Sequence, residues 1–340
     1  MKEKEDTTRG TQVISIKELK KRLPKEALEL LERTLESNIY DKVLNAFRIK
    51  RDTTFRVNTL KTTRNNIIKE LQKSEFKAKE IPCFEGFFRI DNSLETKLLD
   101  SNFVKDGFIY LQSLSSMIVP LILNPNKNDK ILDIAASPGS KTTQIASMIG
   151  NSGIIDAIEP DFIRMERLKY NCSIQGVNNI NFYNTRGELF CKDKMDYYDK
   201  ILCDVPCSGE GRFSIYDKSS YNGWSKKEVN RLSNLQIKLL NSAFKSLKPN
   251  GILVYSTCTM NLYENELILD KFIKEGKSNI ESDIEIIKID NLFTTFNEII
   301  KPILKDYDNN ELDKSISKAI RIIPSENFEG FFIAKIKKKV

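Results

Sequence analysis

Apolar positions along the chain change their period twice. Across residues 12 to 50, "SIKELKKRLPKEALELLERTLESNIYDKVLNAFRI" repeats apolar residues at helical spacing, with Pro24 suited to a first helical turn. "TTFRVNTLKTTRNNIIKELQKSEFKAKEIP" predicts a strand, a turn, an amphipathic helix and a loop, and "GFFRID" and "GFIYLQ" predict further short strands. From Lys130 the pattern becomes short apolar runs separated by helices. The runs are "KILDIA", "GIIDAIE", "NINFYN", "YDKILCDVP" and "GILVYST"; the helices are "KTTQIASMI", "DFIRMERLKYNCSIQG" and "KKEVNRLSNLQIKLLNSAFKSL". Strand, helix, strand at this spacing predicts a parallel sheet covered by helices. In the tail, "IEIIKID" precedes "AIRIIP" and "GFFIAKIKKK", the last two spaced as antiparallel partners. The expectation is a doubly wound α/β sheet with an antiparallel edge.

Composition narrows the chemistry. The 340 residues are 40% apolar and 30% charged, as in a globular protein of one large domain with an attachment, or of two. "MIVPLILNP" is too short and too broken by proline to span a bilayer, and "MKEKEDTTRG" lacks the apolar stretch of a secretory signal, so the expectation is a cytoplasmic protein without membrane contact. A net charge of +7 favours a polyanionic partner without naming one. The six cysteines form no CxxC pair, which argues against a zinc site or disulfide framework, and no metal is expected. There is no histidine, which removes Ser-His-Asp and Cys-His catalysis and imidazole bases. Cys, Asp, Glu, Lys and Tyr are left to carry any reaction.

Two cysteines occupy unusual addresses. Cys207 in "DVPCSGEG" and Cys258 in "YSTCT" each follow an apolar strand candidate. In a doubly wound sheet, ligands bind at the carboxyl ends of the strands, so one face can hold both. They could equally be small hydrophobes at strand ends. The turn "ILDIAASPGSKTTQ" places Ala135, Ala136, Gly139 and Ser140 before a helix, where small residues permit close backbone approach and helix amides face a ligand. It is neither a GxGxxG turn nor a phosphate loop. Glu159, ending the next strand, could accept from both hydroxyls of a ribose, which NAD and S-adenosylmethionine both carry, or simply face a helix dipole. Arg164 stands one helical turn beyond.

Together these segments resemble the NOL1/NOP2/Sun family of RNA cytosine-C5 methyltransferases (the RsmB/NOP type), most closely its archaeal tRNA members. The resemblance runs from "FRVNTLK" to "GFFIAKI". It is carried by "YLQSLSSMIVPLILNP", by "LDIAASPGSKTT" for the family's "LDxCAAPGGKTT", and by "LCDVPCSGEG" and "LVYSTCTMNLYENE", with Trp224 and Gln236 between the last two. It implies a Rossmann-like class I methyltransferase with a mixed, mostly parallel seven-stranded sheet over residues 109–338. Preceding it would be a helical segment at 1–50 and a small α+β RNA-binding region at 51–108. The implied cofactor is S-adenosylmethionine, held by Ala135, Ala136, Ser137, Pro138, Gly139, Ser140 and Lys141, with Glu159 on the ribose, Arg164 beside it, and Asp204 in the "DxPC" motif. Ala135, Ser137 and Ser140 replace the family's Cys, Ala and Gly, small for small. In "YNTRG", Arg186, a further candidate cofactor contact, stands where the family has an acid near the adenine amine; an arginine cannot accept that hydrogen bond, so Asn184 or a backbone carbonyl substitutes or cofactor affinity is lower.

The implied reaction explains two thiols. Adding a thiolate at cytosine C6 makes C5 nucleophilic towards a methyl donor, and the C5 proton must then leave so that the thiol is expelled. The resemblance assigns attack to Cys258, release to Cys207, the N3/N4 edge of the base to Asp204, and a supporting catalytic contact to Lys141. DNA cytosine-C5 enzymes use one cysteine in a "PC" motif with a separate "ENV", which is missing here and would leave Cys258 unexplained. Cys83, Cys172, Cys191 and Cys203 are expected to be structural. Arg56, Lys61, Arg64, Lys69 and Lys73 would hold RNA phosphates. The favoured partner is tRNA, with rRNA as the alternative and no obligate protein partner evident. The rival readings are a methyltransferase of another acceptor and a non-catalytic RNA-binding assembly factor.

Overall fold

The structure is a computed structural model, and it describes residues 14–278, 284–289, 296–300, 302 and 311–339. Residues 1–13 of the helical segment expected at 1–50 lie outside the described residues, as do Asp290 at the end of "IEIIKID" and Val340.

Three helices, Ile16–Arg22, Lys25–Thr34 and Ser37–Ala46, open the fold, with Pro24 at the boundary of the second. Their apolar faces (Leu19, Leu31, Val43, Leu44, Phe47) pack on Phe213, Tyr221 and Met260, so this segment braces the loop that follows Cys258. Strands β1 (Thr53–Val57), β2 (Lys79–Glu80), β3 (Phe87–Ile90) and β4 (Ile109–Leu111) then form an antiparallel sheet in the order β2-β3-β1-β4. Because β4 pairs with β1, this small sheet reaches past the boundary expected at residue 108.

The large sheet holds β5 (Lys130–Asp133), β6 (Ile154–Ile158), β7 (Ile180–Tyr183), β8 (Tyr198–Asp204), β9 (Leu247–Thr257), β10 (Ile284–Ile287), β11 (Ile299–Ile300), β12 (Ile320–Ile322) and β13 (Phe331–Lys338). Its order is β11-β12-β13-β9-β8-β5-β6-β7, with β10 also on β13. β5 to β9 are parallel, whereas β13 runs antiparallel to β9, to β10 and to β12. This is a Rossmann-like methyltransferase fold. Among the described residues nine strands replace the seven expected, because β11 and β12 lengthen the antiparallel edge.

Successive residues of the central strands face opposite layers. Leu132, Cys203 and Tyr255 pack under the helices Lys226–Ser246 and Glu266–Ser278, while Ile131, Leu202 and Val254 pack under Leu114–Leu123 and Ser140–Ile149. Strand order reverses between β5 and β8. The carboxyl ends of β5, β8 and β9 therefore frame a crevice.

The small sheet is fastened to that crevice by a side chain expected on the surface. Arg56 is 2% exposed. Its Nε donates to Gln112 Oε1 (2.9 Å) and its Nη2 to Thr143 Oγ1 (2.8 Å) on the helix Ser140–Ile149, and it lies over the Tyr110 ring. Burial lowers its pKa to about 10. Arg56 is thus a bolt between the two sheets, not a phosphate contact. Arg64 is held by Glu80 through two bonds, which leaves Lys61, Lys69 and Lys73 as the exposed charges of that set. Among the described residues, no helix is long and apolar enough to cross a membrane and no cluster of ligands could hold a metal.

Candidate functional site

A cavity of about 500 Å³ occupies the crevice. Its walls include Ala135, Ala136, Ser137, Pro138, Ser140, Lys141, Arg164, Asp204, Cys207 and Cys258, together with Tyr110 and Gln112 from β4 and its exit. Most of the residues singled out in the sequence are therefore brought together. Gly139, Glu159 and Arg186 are not in the wall.

The loop after β5 is tied down from both sides. Ala136 N–H donates to Ile158 O, Ser137 Oγ to Arg164 O, and Arg164 Nη2 to Ser137 O. Gly139 holds φ at 103°, and a Cβ there would meet Leu168 Cδ1 at 2.9 Å, so the tight turn into the helix requires glycine. Glu159 is 1% exposed; its Oε1 accepts from Asp161 N–H (3.0 Å) and its Oε2 lies 3.3 Å from Arg164 Nη2. Arg164 thus lies between this carboxylate and the cavity. Arg186 is exposed and paired with Glu188 at 2.5 Å. Asn184 Nδ2 donates to the carbonyls of Glu159 and Pro160.

At the ends of β8 and β9 the charges interlock. Lys141 Nζ donates to Asp204 Oδ2 (2.6 Å), and Ser256 Oγ donates to Asp204 Oδ1 (2.6 Å). Both oxygens of Asp204 thus accept a hydrogen bond in this arrangement. The two sulfurs lie 3.0 Å apart, and Cys258 N–H reaches Cys207 Sγ at 3.2 Å. The pair splits in ionisation. The hydrogen bond from Cys207 and then the Arg212 guanidinium lower the Cys258 thiol against the effect of burial. The same hydrogen bond, helped by burial, raises Cys207 well above its ordinary value. Of the two, Cys258 is therefore the thiol that ionises more readily.

Beneath the thiols lies a buried polar network. Glu264 accepts from Ser208 N–H (3.1 Å), Gln236 Nε2 (2.8 Å) and Asn261 Nδ2 (2.6 Å), while Glu210 accepts from Trp224 Nε1 (2.7 Å). Burial, with Glu210 close by, pushes the Glu264 carboxyl up to about 7. This network ties the Cys207 loop to the Cys258 loop, which accounts for Trp224 and Gln236. Arg321 on β12 secures the same loop. It is fully buried, grips Glu266 with Nη2 and donates from Nη1 to Met260 O (2.7 Å).

Several functional positions escaped the sequence reading. Asp133 ends β5 inside a quoted motif. Its Oδ2 accepts from Thr142 Oγ1, but its Oδ1 is buried with no hydrogen-bond partner among the described residues. Burial pushes its carboxyl up to about 7. An acid at the end of the first strand was the signal available. An orphaned carboxylate oxygen in the cavity wall suits a cationic amino-acid group, and the small-residue turn beside it suits close approach of a nucleoside cofactor. The residues present fit S-adenosylmethionine. Arg212, Glu329 and Phe331 also line the cavity, and no spacing rule points to them.

Residues 120–337 match the family described as 16S rRNA methyltransferase RsmB/F. The chain belongs to that family. Ribosomal RNA small subunit methyltransferase F of Enterobacter sp. (strain 638) is 31% identical over 322 residues, covering 93% of this chain and 63% of that protein. Its counterpart in Shewanella amazonensis is 33% identical over 290 residues, covering 83% and 57%. The chain thus spans about three fifths of the length of the curated relatives it matches. Among solved structures, a methyltransferase homolog protein from Pyrococcus horikoshii superposes with a TM-score of 0.78 at 28% identity, covering 96% of this chain and 99% of that one. NSun6 from Pyrococcus horikoshii reaches 0.76 at 23% identity, covering 94% and 99%, which shows the shared fold. These findings correct the expected kinship with archaeal tRNA enzymes and, with it, the preference for tRNA as partner. The match is to the RsmB/F type, and the bacterial relatives are named for ribosomal RNA.

Proposed function

From that membership we propose that the chain is an S-adenosylmethionine-dependent RNA cytosine-C5 methyltransferase acting on small-subunit ribosomal RNA. The observation that carries the reading is the pair of thiols 3.0 Å apart in the crevice, beside the Lys141–Asp204 ion pair. A non-catalytic RNA binder has no use for two sulfurs held in contact at the ends of adjacent strands.

S-adenosylmethionine, when bound, supplies an electrophilic methyl group. Ala135 to Lys141 would line its methionine part, with Asp133 Oδ1 the free acceptor for its ammonium. Glu159 would hold the ribose hydroxyls, with Arg164, its ion-pair partner, beside the cofactor. The target cytosine must leave its stack to enter the cavity. Cys258 forms a bond from sulfur to C6, which turns C5 into a nucleophile. Asp204, as an acceptor, suits the exocyclic amine of the base, and Lys141 is the donor available for N3 or O2. After methylation the C5 proton passes to water, its electron pair restores the C5–C6 double bond, and the Cys258–C6 bond breaks with its pair returning to sulfur. Cys207, 3.0 Å from the departing sulfur, is placed to assist this release. Lys61, Lys69 and Lys73 hold phosphates from the small sheet.

Incubation with labelled S-adenosylmethionine and unmodified RNA tests the reading. Label is expected in 5-methylcytosine of the small-subunit rRNA fraction. Label confined to tRNA, or none in any RNA, would overturn it.

A further inference from the structure

We infer that Arg212 activates the nucleophile, its guanidinium holding the Cys258 sulfur as thiolate in a chain that has no histidine to serve as base. This rests on the reading of Cys258 as the attacking group. An ordinary thiol is mostly protonated at neutral pH, and here no imidazole can take its proton.

Backbone geometry delivers the arginine. Gly209, at φ +80°, turns the chain into the single turn Glu210–Arg212. Gly211 N–H then donates to Cys258 O (3.0 Å), and Gly330 N–H donates to Gly211 O (2.8 Å). A Cβ on Gly211 would stand 2.1 Å from Gly330 O, so only glycine lets these backbones close up. With Gly211 pinned to the nucleophile's own carbonyl, the next side chain enters the cavity that the Cys258 sulfur also lines, where its charge acts on that sulfur.

The other charges around the sulfur leave this task to Arg212. Asp204 and Glu329 oppose ionisation, and burial does so too. Lys141 is committed to Asp204. Glu264 faces Cys207 and raises that thiol. Cys207 contributes its S–H as a donor, a neutral group, which leaves Arg212 as the cation acting on Cys258. Arginine suits the part because it stays charged throughout the working pH range. The thiol proton leaves to water, and the electron pair that remains on sulfur is the one that bonds to C6.

Alkylation of the full chain by iodoacetamide, without RNA, tests the coupling apart from methyl transfer. Modification of Cys258 is followed by peptide mass spectrometry from pH 5.5 to 9, with exposed Cys83 as internal control. In Arg212→Met the Cys258 rate at pH 7 should fall roughly tenfold and recover at high pH, as expected when a thiol pKa rises by about one. Cys83 should not change, and Arg212→Lys should lie between. A Cys258 profile in Arg212→Met equal to that of the unsubstituted protein overturns the inference. If Arg212→Met does not fold, Arg212→Gln and Arg212→Lys are compared: a slower Gln variant at pH 7 supports the inference, and equal profiles overturn it. Absence of methyl transfer by the unsubstituted protein, with the alkylation difference intact, would instead sink the assigned reaction.

Discussion

Lys141 Nζ donates to Asp204 Oδ2 over 2.6 Å, joining the first turn after β5 to the end of β8. The lysine side chain retains only 9% of its exposure, so its charge is spent inside the cavity. Lys141→Met would leave Asp204 uncompensated and remove the donor available to the base. Single-turnover methyl transfer should drop by about 10²–10³-fold, the range seen when one preorganised donor is removed. Binding of the cofactor, followed by calorimetry, should change far less. A Met variant with a normal rate would remove Lys141 from the reaction.

The two cysteines should fail differently. Cys258→Ala should neither methylate RNA nor form a covalent species, because addition comes first. Cys207→Ala should transfer the methyl group but release it poorly, leaving a protein–RNA adduct that survives a denaturing gel. The opposite pattern would reverse the roles assigned to the two thiols.

The Glu264 carboxyl, raised to about 7 in the fold, makes stability depend on pH. A folded pKa above the unfolded one means the folded state binds the extra proton. The stabilisation is complete below the unfolded value of about 4.5 and is lost as pH rises through about 7. The change amounts to about 3 kcal/mol. Urea midpoints should therefore decline from pH 5 to pH 8, and Glu264→Gln should flatten that decline. Equal slopes in both proteins would show that Glu264 stays ionised.

Arg321 and Glu266 form an ion pair that is 0% exposed on both sides. Arg321→Met leaves a buried carboxylate alone and should cost about 3–5 kcal/mol in chemical denaturation. Adding Glu266→Gln should recover part of that loss. A single variant as stable as its parent would place the pair outside the cooperative core.

Periodicity made the parallel strands legible because each buried run is short and bounded by a turn, and the same turns carried Cys207, Cys258 and the small-residue loop. Features that depend on distant partners escaped it. Arg56 in "TTFRVN" reads as surface charge until Gln112 and Thr143 close around it. The helix Glu266–Ser278 begins in a segment that reads as polar loop, because Glu266 is neutralised by Arg321 from β12. Arg212 follows a motif that was plain, but its aim is set by Gly330, far along the chain. Short-range pattern fixes elements; the aim of a side chain is set by contacts that pattern does not contain.

The contact between Gly211 and Gly330 also orders events during synthesis. A nascent chain that has emerged only as far as β12 already carries Cys207, Cys258, Lys141 and Asp204. It lacks Glu329 and Phe331 in the cavity wall, and it lacks β13, which must slide between β9 and β12. Non-local pairing of this kind forms late. Both thiols are therefore made before the residues of β13 and its approach that complete the cavity around them.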